Sequence, residues 1–255
     1  NIHDFSILDY VNGVEDLNLG LIRSIGDPHL RYIEDPVRMI RAIRFASALN
    51  FRIETCTYDA ITCHADCIAL ASPSRMYEEI LKLLFCGHAG RVFHHLRLTG
   101  LFRVLFPEFA QWVDTPAGQT ALPRIESALR AIETVNSAEP RHSAALMFCL
   151  FFGAYHEAAA AVRIAQGMHP SAAGGEVVSE HLSRLRTIIQ IPKLVTLYAA
   201  DIMATQPKLM ERRRRDVHRL PTRPFFADAL HYFTLTAAAE GRNQDVADWW
   251  GRFLK

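Results

Sequence analysis

Apolar residues recur at helical spacing along most of the chain. Val37, Ile40 and Ile43 fall three apart, and Arg38, Arg41 and Arg44 form a polar stripe beside them, the pattern of a helix with one face for a core. Asp35 and Pro36 precede this helix. The carboxylate can accept the free N–H groups of a first turn, and proline suits the first helical position. Upstream, alternation through Phe5-Ser6-Ile7-Leu8-Asp9-Tyr10-Val11 predicts one short strand, and Asn12-Gly13 predicts a turn. Downstream, Ser72-Pro73-Ser74 opens a further helix, with Glu78 and Glu79 near its positive end, and Gly87 closes it. Gly100 and Phe106-Pro107 are the next breaks, and Asp114-Thr115-Pro116-Ala117-Gly118 is the predicted linker. Further helices are predicted from Pro123, from Arg141, from about Ser179, from Pro192 and from Pro224, with Ser171 to Gly175 as a loop. Ala144 to Tyr155 is the longest apolar run. It is shorter than the ~20 residues a membrane span needs, and it reads as a buried helix.

The fold class is therefore mainly α-helical, with 255 residues giving ample chain for a buried core. A net charge of +1 means that any site for a polyanion must be local. The five cysteines (Cys56, Cys63, Cys67, Cys86, Cys149) form no paired framework, which suits a reducing compartment. A cytoplasmic monomer without membrane contact is expected.

Asp35 and Arg38 are the first chemical candidates. A carboxylate that accepts beside a guanidinium that donates matches the Watson–Crick edge of adenine (N6 and N1) or cytosine (N4 and N3) and opposes guanine and uracil. The bland alternative is a capped, salt-bridged surface helix. Arg75, Glu79 and Lys82 share a second helix and could buttress Arg38 or a nucleotide, or could be ordinary helix ion pairs. Lys208, Arg212, Arg213, Arg214, Arg215, Arg219 and Arg223 give a local net of +5 with Glu211 and Asp216, which would attract a phosphate backbone. Cys63-His64-Ala65-Asp66-Cys67 has no second pair at zinc-site spacing, so buried structural thiols and no metal site are expected. His94-His95 diverge on a helix, and Trp249-Trp250 read as closing a core.

Three segments carry a resemblance: Asp9-Tyr10-Val11-Asn12-Gly13-Val14-Glu15-Asp16-Leu17, Ile22-Arg23-Ser24-Ile25-Gly26-Asp27-Pro28 and Glu34-Asp35-Pro36-Val37-Arg38-Met39-Ile40-Arg41-Ala42-Ile43-Arg44-Phe45. It continues through Ser74-Arg75, Glu78-Glu79, Lys82-Leu83-Leu84, Gly100-Leu101 and Phe106-Pro107-Glu108. Together these resemble the class II nucleotidyltransferase family of bacterial poly(A) polymerases and CCA-adding tRNA nucleotidyltransferases. The tail, with Ile191-Pro192-Lys193, Arg223-Pro224-Phe225-Phe226 and Asp248-Trp249-Trp250-Gly251-Arg252-Phe253, resembles the poly(A) polymerase branch.

The resemblance implies a short strand-and-turn end of an α/β catalytic head at 1–25, a helical base-reading neck at 26–113 and a helical RNA-binding body at 119–255. It makes Asp35 and Arg38 the base-reading pair, with Glu34, Arg41, Arg75, Glu79 and Lys82 as nucleotide support. It makes the Lys208 to Arg223 cluster the RNA contact. ATP is implied as substrate and RNA 3′ ends as partner. The head's Gly-Gly-x-x-Arg-Asp, Asp-x-Asp and Arg-Arg-Asp elements do not occur ahead of the neck here, so Mg²⁺ is expected on a head outside this chain. No catalytic residue is expected within the chain. The alternatives are a CCA-adding enzyme and a stand-alone helical RNA-binding module.

Overall fold

The computed structural model describes residues 7–138 and 143–254. They form two compact units that divide between Leu105 and Phe106.

The first unit runs through α1 (Gly13–Leu19), β1 (Leu21–Ile22), α2 (Pro28–Glu34), α3 (Val37–Leu49), β2 (Arg52–Ile53), α4 (Thr55–Cys63), a 3₁₀ turn at Ala65–Leu70, α5 (Pro73–Phe85), α6 (Ala89–Leu98) and α7 (Leu101–Leu105). Helix α3 is its centre. Val37, Ile40 and Ile43 are buried as the periodicity requires, and α5 and α6 pack against them. The expected strand does not form over Ile7–Val11, and Phe5 and Ser6 lie outside the described residues. The Asp9 carboxylate instead accepts the amides of Val11, Gly13 and Val14, which starts α1. Those bonds hold the Asp9 carboxyl below its usual range. The strands present are β1 and β2, paired in parallel with Leu21 opposite Arg52 and Ile22 opposite Ile53. This ladder ties residues assigned to the end of a head into the first unit.

The second unit comprises α8 (Pro107–Val113), α9 (Pro116–Ala138), α10 (Ala144–Ala165), α11 (Pro170–Leu185), α12 (Lys193–Glu211), α13 (Arg214–Arg219), a 3₁₀ turn at Leu220–Thr222, α14 (Phe226–Glu240) and α15 (Gln244–Phe253). Its boundary lies ahead of the expected 114–118 linker because Phe106 and Phe109 belong to its aromatic core. Their rings lie 5.1 Å from Phe151 and 5.3 Å from Phe152. The supposed linker is a helix start, where the Thr115 hydroxyl accepts the Gly118 amide at 3.1 Å. A Cβ on Gly118 would collide with the Trp112 carbonyl, so the turn formers serve a tight approach of α9 to α8. Helix α9 therefore begins at Pro116 and carries Pro123 inside it.

Residues 171–175 are likewise helix, not loop. At Gly174 a Cβ would meet the Met203 carbonyl at 3.0 Å, so these glycines let α11 close on α12. The predicted start at Arg141 lies outside the described residues, and Ser143 caps α10 by accepting the Leu146 amide. Helix α10 is longer than the apolar run that announced it, long and apolar enough by composition to cross a bilayer. It is nonetheless the core helix of this unit, surrounded by α9, α11, α12 and α14.

Beside the aromatic core, His156 on α10 and His181 on α11 are both buried, with Nε2 of the first 2.8 Å from Nδ1 of the second. The outer nitrogens, His156 Nδ1 and His181 Nε2, have no partner. Burial holds both rings neutral, with the His181 pKa pushed down to about 4. An unfolded histidine binds a proton below about pH 6.5 and the folded pair does not, so the unfolded state gains protons first. Stability should therefore fall as pH drops from about 6.5 toward 4, by up to ~1.4 kcal/mol per pH unit for each histidine. Urea midpoints measured across that window should show this slope, and His181→Gln should flatten it. An unchanged slope in the variant would remove the pair as its source.

Candidate functional site

The junction between α2 and α3 is two residues long, and it brings Asp35 beside Arg38. Asp35 ends α2 in an extended conformation, φ −145° and ψ 91°. Its carboxylate does not cap α3 as the local pattern suggested, and no side chain does. Arg75, on α5, draws it away, with Nη2 donating to Asp35 Oδ2 at 3.0 Å. A charge-assisted bond from a guanidinium is stronger than one from a neutral amide. Arg38 Nε lies 3.9 Å from the same oxygen, outside hydrogen-bonding distance. Arg38 Nε is buried without a hydrogen-bond partner, although the side chain is 42% exposed. Asp35 thus spends one oxygen on Arg75, and Oδ1 and the Arg38 donors stay available.

Glu79 organises the layer behind. Its side chain is 5% exposed, and it lies 3.5 Å from Arg41 Nε, 3.9 Å from Arg44 Nε and 2.9 Å from Lys82 Nζ. Arg75 and Glu79, one turn apart on α5, therefore hold two different parts of α3's approach. Arg75 positions the carboxylate of the pair, and Glu79 gathers the arginine stripe. Arg44 belongs to this cluster although only its place in the stripe pointed to it. Glu34 does not join it. Its partner is Arg31, at 2.8 Å on the exposed side of α2.

The arginine cluster of the second unit is not one helix. Helix α12 ends at Glu211, Arg212 turns left-handed (φ 48°), and α13 restarts at Arg214. The break sorts the charges. Lys208, Arg215, Arg219 and Arg223 line one groove of about 420 Å³ together with Asp201 and Asp216. Partial burial raises the Asp201 carboxyl, and Arg223 and Lys208 oppose that shift. Arg213 is instead matched by Glu211 at 2.7 Å, and the Arg212 guanidinium sits 5.6 Å from the Trp249 ring centre. Trp250 is fully buried and donates Nε1–H to Leu209 O at 3.0 Å, so it closes the core as its position implied. Trp249 is half-buried and stacks on Phe253. Cys56 and Cys63 are exposed, contrary to the expectation of buried thiols, because they fall on the outer face of α4.

Against known proteins, residues 50–113 match a family model described as "Probable RNA and SrmB- binding site of polymerase A", and residues 166–255 match "Polymerase A arginine-rich C-terminus". Poly(A) polymerase I of Salmonella typhi is 34% identical over 258 residues, covering 99% of this chain and 55% of the relative. The chain thus spans about half the length of the curated relatives it matches in full. A CCA-adding enzyme of Levilactobacillus brevis is 40% identical over 107 residues, 42% of this chain and 27% of that enzyme. Among solved structures, a tRNA-processing enzyme complex shares the fold with a TM-score of 0.65 at 18% identity, over 100% of this chain and 62% of the other. The chain belongs to the poly(A) polymerase and CCA-adding nucleotidyltransferase family.

The buried carboxylate and the exposed ion pair should respond differently to substitution. Glu79→Gln should destabilise the chain by about 1–3 kcal/mol, because it leaves the cations around a buried site uncompensated. Arg75→Ala should lose clearly less, because exposed pairs contribute little to stability. Urea denaturation of the two variants beside the parent measures both. Equal losses would contradict the separate roles assigned to them.

Proposed function

We propose that this chain is the base-reading neck and RNA-binding body of a template-independent poly(A) polymerase, which adds AMP from ATP to RNA 3′ ends and releases pyrophosphate. The observation that carries this reading is the unspent pair at the α2–α3 junction, with Asp35 held by Arg75 at 3.0 Å and Arg38 left without a hydrogen bond. Asp35 Oδ1 accepts from the adenine N6 amino group, and Arg38 donates to N1. Guanine presents the reverse pattern at these positions and leaves both protein groups unpaired, which costs about 1–3 kcal/mol for each. An unpartnered buried Nε in the free protein favours the same conclusion, since a bound base relieves it.

Cytosine satisfies the pair as well as adenine does, so the tail supports the choice of branch. The likeness to the polyadenylating relatives runs along nearly the whole chain, and that to the CCA-adding enzyme covers less than half of it. The groove of Lys208, Arg215, Arg219 and Arg223 follows the phosphates of the RNA. The reducing cytoplasm and a monomeric state complete the proposal, with the five free cysteines in its favour.

Four carboxylates of the first unit are already committed to other partners and do not fit the Mg²⁺ that the family's chemistry implies. Asp9 is occupied by backbone amides, Asp16 by Arg23, Glu54 by Thr57 and Glu79 by its cations. The chain's own part is to orient the base and the RNA, so that proximity and charge act on correctly placed groups.

Primer extension tests this, with the chain joined to a catalytic head of the family. Long A tails on unstructured RNA, with CTP ignored, are the expected outcome. Addition of C, C and A only to tRNA lacking its 3′ end would make it a CCA-adding enzyme instead. Asp35→Ala and Arg38→Ala should relax base choice or depress ATP use and leave RNA affinity nearly unchanged. Alanine at Lys208, Arg215, Arg219 or Arg223 should lower the slope of log affinity against log salt by ~0.7 for each phosphate left without its cation. Arg213→Ala should lower it less, because Glu211 already matches that charge. Equal slopes in all five would remove the groove from the RNA path.

A further inference from the structure

Cys63-His64-Ala65-Asp66-Cys67 belongs neither to the contacts of the Asp35–Arg38 pair nor to the groove of Lys208 and Arg223. Helix α4 ends at Cys63, and His64 follows as its C-cap with φ −106° and ψ 14°. The His64 backbone is held from both sides, its amide on Ala60 O at 3.0 Å and its carbonyl accepting the Cys67 amide at 2.9 Å. The third participant comes from α2. His29 lies in the first turn after Pro28, with its amide fixed on the Asp27 carboxylate at 2.9 Å. Packing of α2 on α4 brings His29 Nδ1 to 3.0 Å from His64 Nε2, with the rings edge-on and their centres 5.2 Å apart. The donor atoms of His29, Cys63 and His64 all lie within 4.8 Å of one another. Among the described residues this is the one group of three or more His, Cys, Asp or Glu side chains that converges in this way.

We infer that His29, Cys63 and His64 form a site for a zinc-type divalent cation, with solvent as the fourth ligand. One thiolate and two imidazoles suit a borderline-soft ion and not Mg²⁺ or Ca²⁺, which take oxygen ligands. Tetrahedral zinc, with bonds of ~2.0–2.1 Å to nitrogen and ~2.3 Å to sulfur, sets its ligand atoms about 3.3–3.6 Å apart. The imidazoles need to separate by a few tenths of an ångström, and Cys63 Sγ needs to swing inward. His29 and Cys63 are exposed, so both have the freedom to do so.

Binding is balanced in protons. The Cys63 thiol gives one proton to solvent, and the proton shared by the two rings moves to an outer ring nitrogen, leaving both inner lone pairs for the ion. The ion then ties the first turn of α2 to the end of α4. Since Asp35 is the C-cap of α2, the ion braces the helix that presents the proposed base-reading carboxylate. Cys67 is not part of the cluster, which is why the Cys63–Cys67 spacing suggested no site. The missing ligand lies 35 positions from His64 in the chain.

Cobalt(II) is the probe. Titrated into the full chain after chelator treatment, it should give a thiolate-to-metal charge-transfer band and the visible bands of four-coordinate cobalt. Both should saturate at one ion per chain and be displaced by zinc. Zinc should also raise the Tm. His29→Ala, Cys63→Ser and His64→Ala should each weaken zinc binding about tenfold or more in competition with a chromophoric chelator, since losing a ligand costs at least as much as losing an outer hydrogen-bond partner. Cys56→Ser, which removes an exposed thiol outside the cluster, should leave binding unchanged. Absence of the charge-transfer band would overturn the inference, as would its persistence in Cys63→Ser or parental affinity in His29→Ala.

Discussion

The Glu79 side chain is buried in the first unit, and α5 can settle against α3 only where cations meet it. An unpaired carboxylate in such a place would be expensive. Arg41 and Arg44 approach from α3, and Lys82 approaches from the next turn of α5. That requirement sets the rotation of α5 about its own axis. Arg75 stands one turn before Glu79 on the same helix, so once Glu79 is placed, Arg75 is delivered to Asp35. The Asp35 carboxylate is thus oriented by a helix distant in sequence, and its register depends on a buried side chain.

In the second unit the equivalent constraint is where a helix stops. Were α12 to continue through Arg212–Arg215, the four guanidiniums would point around the helix in all directions. The left-handed residue at Arg212 ends it, although such a conformation is unfavourable for a side chain other than glycine. Trp249 beneath the Arg212 guanidinium and Trp250 anchored on Leu209 O hold that end against α15. The restart at Arg214 then turns Arg215 and Arg219 toward Lys208 and Arg223. A run of like charges becomes a groove with one direction, in which Asp201 and Asp216 temper the field.

Much of the fold was legible in the chain. The 3.6-residue period around Val37, Ile40 and Ile43 identified α3 and its buried face, and Pro192 marked the start of α12. Two of the failures share one cause. Asp114 to Gly118 and Ser171 to Gly175 carry the small and turn-forming residues of loops, yet helix starts at Pro116 in the first and runs through the second, because Gly118 and Gly174 allow a second helix to come close. Composition alone cannot separate a glycine that bends the chain from one that admits a neighbour.

The candidate site divides along the same line. The sequence by itself determined that Asp35 and Arg38 sit side by side, because three residues across a helix start keep two side chains within reach whatever surrounds them. It also determined the concentration of positive charge between Lys208 and Arg223. Only the tertiary structure decided that Arg75 takes the Asp35 carboxylate from the helix cap, that Glu34 stands apart, that Arg44 joins Glu79, and that His29 meets Cys63 and His64. Local spacing constrains only near neighbours along the chain. Partners brought from other helices are chosen by burial and by the need to match every charge that burial encloses.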